Sequence, residues 1–274
     1  LVSRTKFKKM NYSTLYQGKV ITYSLSGEGP ALVFLHGYLE TKAVWEAYTK
    51  HFESTHQVLT IDLPGHGGSE VLRTVHSMKD LAMVVKFLMD KHSMGQTVVV
   101  GHSMGGYVAL AFVDHYPEKV RGLVMFSSTA MNDNTDRILA RNREISLIRS
   151  GKKDQVVNHN IPNLFAAQNL AEFSHQVEAI KVEAKKMTDI AMIAALEGMK
   201  TRVNNVNMMK HLPYSVLFIA GKHDNLIPLE NSLRQVENAP RIILKVLENS
   251  GHMGYIEEET VSAQYVLDYL KKLP

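Results

Sequence analysis

Thr97-Val98-Val99-Val100-Gly101-His102-Ser103-Met104-Gly105-Gly106-Tyr107-Val108-Ala109-Leu110 is the stretch on which the reading of the whole chain turns. The β-branched apolar residues after Thr97 make a buried strand, and residues 107–115 have helix-forming character. Between them stands a serine flanked by glycines. A strand that turns into a helix within so few residues strains the serine backbone and holds its hydroxyl clear of the sheet. Gly101 and Gly105 are expected where strand and helix backbones approach too closely for a Cβ. His102 is locked beside the serine and points away from it. The helix aims its first amides at charge that develops next to Ser103, so Ser103 is the candidate nucleophile.

The surrounding sequence repeats the alternation of strand and helix. Residues 13–26 form a hairpin around Gln17-Gly18, and 31–35 are a continuous apolar run ending in His36-Gly37-Tyr38. A helix over 42–52 follows, then a strand over 58–61 that ends in the loop Asp62-Leu63-Pro64-Gly65-His66-Gly67-Gly68-Ser69. Helical spacing returns over 77–91, and strands are expected at 98–100, 120–126, 215–220 and 242–247. Residues 228–238 and 256–270 read as helices. This order implies an α/β architecture, a mostly parallel sheet covered by helices on both faces.

One segment breaks the pattern. Residues 128–212 contain no convincing buried strand but show helical stretches at 136–150, 153–159, 171–187 and 190–200, interrupted by Pro162 and Gly198, with a cap at Thr188-Asp189. The domain expectation is a core of 10–127 and 213–274, a helical cap (lid) of 128–212, and a basic tail of 1–9.

Composition narrows the function classes. The chain has 274 residues, 45% hydrophobic and 21% charged, with net charge +4 and no cysteine. Disulfides, thiolate metal sites and cysteine nucleophiles are excluded. Arg4, Lys6, Lys8 and Lys9 cluster at the start, and no basic stripe interleaved with aromatics follows, which argues against nucleic acid. No run has signal-peptide or membrane-span length. The first residue is Leu, which suggests a processed or trimmed start. A cytoplasmic protein, monomeric or homodimeric and not membrane-bound, is expected. With neither an H-E-x-x-H spacing nor a phosphate-cradling glycine loop, no metal and no cofactor are expected.

A serine hydroxyl needs a base, usually histidine, held by a carboxylate. In an open α/β sheet these groups collect at the carboxyl ends of strands. Of 13 histidines, His252 in Gly251-His252-Met253-Gly254 follows the last strand; His36 and His223 also lie at strand ends. Asp224 follows the next-to-last strand and is favoured over Asp133, while Asp62 is assigned to holding its turn.

The order Ser103, Asp224, His252, the G-x-S-x-G corner, His36-Gly37 and the Asp62–Ser69 loop together resemble the α/β-hydrolase superfamily, in its branch of esterases, C–C hydrolases and non-heme haloperoxidase-like enzymes. The resemblance covers 13–271 in outline and is weak across the lid. It implies an eight-stranded sheet and an oxyanion hole made by the backbone amides of Tyr38 and Met104, with His36 and Gly37 forming the turn before the first. It further implies a lid that bounds an apolar pocket, and a carboxylesterase-like enzyme acting on a small ester or thioester and water. Serine instead of aspartate at position 103 argues against epoxide hydrolase and dehalogenase chemistry. Two alternatives share the fold: a C–C hydrolase of vinylogous diketones, and a small-molecule receptor with little turnover.

Overall fold

The computed structural model describes residues 9–273; the basic leader as far as Lys8 lies outside the described residues. Strands β1 (Met10–Tyr16) and β2 (Lys19–Ser26) form the hairpin, turning through Gln17 (φ 50°) and Gly18 (φ 77°). Two consecutive positive φ values match the twist of the flanking strands. Strands β3 (Ala31–Leu35), β4 (Gln57–Ile61), β5 (Thr97–His102), β6 (Val120–Phe126), β7 (Val216–Gly221) and β8 (Ile242–Leu247) complete the sheet. The order is β1-β2-β4-β3-β5-β6-β7-β8, antiparallel at β1/β2 and β2/β4 and parallel from there on. Every residue of β3, β5 and β7 is buried, because helices cover both faces of the sheet and leave no side for polar residues.

From β3 the chain goes to β4 on one side, then crosses to β5 on the other. The carboxyl ends of β3 and β5 therefore flank the point where the winding reverses. Because β3 to β8 are parallel, the loops after β3, β5, β7 and β8 emerge along the same edge. Helix α1 (Met78–Lys91) starts at Ser77, whose hydroxyl accepts from the Asp80 amide at 3.1 Å, and buries Leu81, Val84, Val85, Leu88 and Met89 at helical spacing. Helix α2 (Met104–His115) begins directly after Ser103.

Between β6 and β7 lie α3 (Thr135–Arg149), α4 (Lys153–Asn160), α5 (Ser174–Lys186), α6 (Asp189–Lys200) and α7 (Val206–Lys210), without a strand among them. Thr188 caps α6 by accepting from the Ala191 amide. The five-residue α7 is too short to leave a periodic signal. Gly198, expected to interrupt a helix, sits inside α6: a Cβ there would collide with the carbonyl of His76. Its role is close approach of α6 to the 64–77 loop, where the His76 amide donates to the Ala194 carbonyl (2.9 Å). Helix α8 (Leu229–Val236) precedes β8.

Two helices expected from periodicity are divided. Residues 42–52 form two 3-10 turns, Lys42–Trp45 and Tyr48–His51. Three-residue winding aligns Trp45 and Tyr48 on the Phe34 ring, at 5.2 and 6.2 Å. The final helix splits into α9 (Gly254–Glu257) and α10 (Glu259–Leu270) at Glu258 (φ −131°, ψ 55°). The Glu258 carboxylate accepts from the Asn249 amide (3.0 Å) and the Ser250 hydroxyl (2.6 Å), so the break serves the loop after β8. Among the described residues no helix is long and apolar enough to cross a membrane.

Three buried histidines link stability to pH. His36 donates from Nδ1 to the Gly37 carbonyl and accepts the Leu63 amide at Nε2, a neutral tautomer. Burial lowers its pKa, and brings His66 down to about 3 and His76 to about 4. An unfolded histidine takes up a proton below roughly pH 6.5, whereas these do so only further down. Stability is therefore expected to fall as pH drops from about 6.5 toward 4, by up to about 1.4 kcal/mol per unit for each such group. Urea unfolding between pH 7 and 4.5 checks this, with a shallower slope expected for His66→Gln.

Candidate active site

Ser103 joins β5 to α2 with φ 51° and ψ −117°, a left-handed conformation costly for a residue with a Cβ. It is pinned at both ends: its amide donates to the Phe126 carbonyl (3.1 Å), and its carbonyl accepts from the Ser128 hydroxyl (2.8 Å) and the Gly106 amide (3.0 Å). A Cβ on Gly101 would strike the Gly105 carbonyl, and one on Gly105 would strike the Leu35 carbonyl. The corner thus closes only with glycine at both places. Met104 supplies the first amide of α2, and Tyr38 follows Gly37 at the end of β3. Among the described residues no protein acceptor takes the Met104 or Tyr38 amide.

The loops after β7 and β8 bring Asp224 and His252 together. Asp224 accepts the Leu226 and Ile227 amides at Oδ1 (2.8 and 2.9 Å), which leaves Oδ2 for His252 Nδ1 at 2.7 Å. Both side chains are 1% exposed. Donation from Nδ1 leaves Nε2 with its lone pair, buried and without a partner. His252 and Ser103 line the same cavity, of about 600 Å³. No hydrogen bond joins the Ser103 hydroxyl to His252 Nε2; such bonds are often long without substrate.

The other candidates lie elsewhere. His223 is exposed. Asp133 pairs with Arg141 (2.6 Å) and Arg202 (2.7 Å). Asp62 accepts the Lys42 ammonium (2.6 Å) and amide, the Thr22 hydroxyl and the Gly68 amide, and so holds its turn.

Glu40, to which sequence reasoning gave no role, sits at the back of the site, 2% exposed. Its carboxylate accepts the Gly37 amide (2.8 Å), the Tyr255 hydroxyl (3.2 Å) and His102 Nδ1 (3.1 Å). His102 Nε2 in turn donates to the His252 carbonyl (3.1 Å). Burial alone would raise the Glu40 carboxyl; His102 and the Gly37 amide outweigh it and hold the group below the usual range. One carboxylate therefore connects the turn before Tyr38, the residue before Ser103 and the loop of His252. Its partner lies 62 positions away, and the only sequence signal was an acid within an otherwise apolar turn.

A second carboxylate fastens the loop after β8 to the helical segment. Glu257 accepts the Gly251 amide at Oε1 (2.9 Å), and at Oε2 the Ala166 amide (2.8 Å) and the Asn169 side chain (2.7 Å). The His252 amide donates to the Leu164 carbonyl at 2.7 Å.

The cavity has mostly apolar walls, with charged groups set among them. Tyr107, Leu147, Val156, Ile161 and Met199 line it, but so do Arg137, Arg141, Arg143, Glu144 and Asn160. Helix α3 turns a polar face inward, which periodicity could not reveal without knowing what it faces. Among the described residues no cluster of metal-ligating side chains occurs.

A family model described as alpha/beta hydrolase fold matches residues 30–167. The chain is 26% identical to a 2-hydroxy-6-oxononadienedioate/2-hydroxy-6-oxononatrienedioate hydrolase of Burkholderia vietnamiensis, over 92% of this chain and 91% of that one. Among solved structures it resembles a thermophilic esterase from Thermogutta terrifontis, with a TM-score of 0.88 and 24% identity, covering 97% of this chain and 98% of that one. It also resembles the enol-lactonase from Burkholderia xenovorans, with a TM-score of 0.88 and 17% identity, covering 95% and 100%.

Glu40→Ala is expected to destabilise the fold by about 3 kcal/mol, since it leaves a buried imidazole, an amide and a hydroxyl without their acceptor. Equilibrium urea unfolding measures it.

Proposed function

This chain belongs to the α/β-hydrolase family, and we propose that within it the protein is a serine hydrolase that transfers the acyl group of a small ester to water. The observation that carries this reading is the 2.7 Å bond from His252 Nδ1 to Asp224, whose far nitrogen lies free on the cavity that Ser103 lines. In the proposed mechanism His252 Nε2 takes the Ser103 proton as the oxygen attacks the carbonyl carbon. Asp224 fixes the tautomer and stabilises the imidazolium. The amides of Tyr38 and Met104 receive the oxyanion, each worth about 3 kcal/mol in the transition state. Collapse expels the alcohol with the proton from His252. Water, deprotonated by the same ring, then releases the acid.

Residues 128–212 act in this proposal as a cap over a core formed by 10–127 and 213–274. Cleavage of a C–C bond in a vinylogous diketone by the same residues is the second reading, favoured by the likeness to the Burkholderia vietnamiensis hydrolase.

Ser103→Ala is expected to lower kcat/KM for p-nitrophenyl butyrate by about 10³-fold or more and to abolish labelling by a fluorophosphonate. Asp224→Asn is expected to lower kcat by about 10⁴-fold with the serine still present. Activity near that of the unaltered protein in Ser103→Ala would refute the assignment. Parallel assays on a vinylogous diketone separate the two readings.

A further inference from the structure

We propose that the cavity is built for a substrate carrying a carboxylate, and that Arg137 is the residue that recognises it; this rests on the hydrolase reading above. Helix α3 places Arg137, Arg141 and Glu144 at spacings of four and three residues, on one face, and all three line the cavity with Ser103 and His252. A helix that walls an acyl pocket for neutral chains would turn apolar residues there, because an unpaired charge facing such a space loses hydration. Here α3 brings Arg137, Arg141 and Arg143 to the wall against the single carboxylate of Glu144, beside Ala140 and Leu147.

Arg141 is committed to Asp133, by Nε at 2.6 Å and Nη2 at 3.4 Å. Arg202 binds the same carboxylate at 2.7 Å, so two guanidinium groups share one acid. Arg137 has no carboxylate within ion-pair distance among the described residues; its guanidinium only touches the Leu226 carbonyl at 3.4 Å. Leu226 is on the loop that carries Asp224 and also lines the cavity. On the acidic side, Glu40 is taken up by His102, Gly37 and Tyr255. Glu144 accepts from the Asn160 side chain at 3.1 Å, and burial raises its carboxyl. The buried Tyr38 hydroxyl lies beside Glu144. The Arg137 guanidinium is therefore left uncommitted on the cavity that Ser103 also lines. A carboxylate satisfies it, through charge-assisted hydrogen bonds that strengthen where water is excluded.

The test compares matched esters with the spontaneous rate subtracted: p-nitrophenyl hexanoate against mono-p-nitrophenyl adipate for an acyl-side carboxylate, and p-nitrophenyl acetate against 3-carboxy-4-nitrophenyl acetate for the leaving-group side. In at least one pair the carboxylated ester is expected to be favoured about tenfold in kcat/KM. That preference is expected to shrink with added salt, to collapse in Arg137→Met, and to return in part in Arg137→Lys. Indifference to the carboxylate in both pairs, or a preference that survives Arg137→Met, overturns the inference. Failure of all four esters together with absent fluorophosphonate labelling overturns the hydrolase reading instead. The thermal midpoints of both variants confirm that they are folded.

Discussion

The backbone of Ser103 is held where a side-chain-bearing residue rarely rests, at φ 51° and ψ −117°, and the surrounding structure keeps it there. Such a conformation costs on the order of 1–3 kcal/mol. The opposing forces are local: a hydrogen bond from β6, another from Ser128, and the start of α2 drawn against β3 through Gly105. The sheet order follows from the same need, since β3, β5 and β6 must be neighbours for their ends to grip one corner. Burial of all six residues of β5 anchors one side of that corner, and the apolar α2 anchors the other.

Around this corner the site is assembled by buried carboxylates, each dividing its oxygens among several donors. Asp224 gives one oxygen to its own loop and the other to His252. Glu40 gathers an amide, a hydroxyl and an imidazole from three separate elements. A buried charge is tolerable only when so fully hydrogen-bonded, and the same saturation that makes it tolerable fixes the relative position of the loops. Precision at the site thus comes from polar contacts beneath it, while the apolar sheet supplies the frame.

Much of this frame was legible in the residues. Apolar runs located β3, β6 and β8 to the residue; β3 is unbroken because it is covered on both faces, while β6 and β8 tolerate Arg121 and Lys245 where the sheet is less enclosed. The loops bearing Ser103, Asp224 and His252 were likewise found from their positions at strand ends. The turns at 42–52 were not, since aromatic residues there answer to Phe34 across the core and not to helix periodicity. Glu40 escaped notice because its meaning lies in His102, far along the chain. The inward face of α3 was unreadable for a related reason: Arg137 and Glu144 look like ordinary solvated charges until the cavity is in view.

Glu257 is bonded at once to the Gly251 amide and to Ala166 and Asn169, so the imidazole-bearing loop and the base of the inserted helices form one mechanical unit. The 164–169 stretch therefore cannot move without pulling on the residue that precedes His252. Because the Leu164 carbonyl also holds the His252 amide, the clasp is double: one strut runs through a carboxylate and the other directly from backbone to backbone. Any shift of this stretch is transmitted to the imidazole as a rigid displacement.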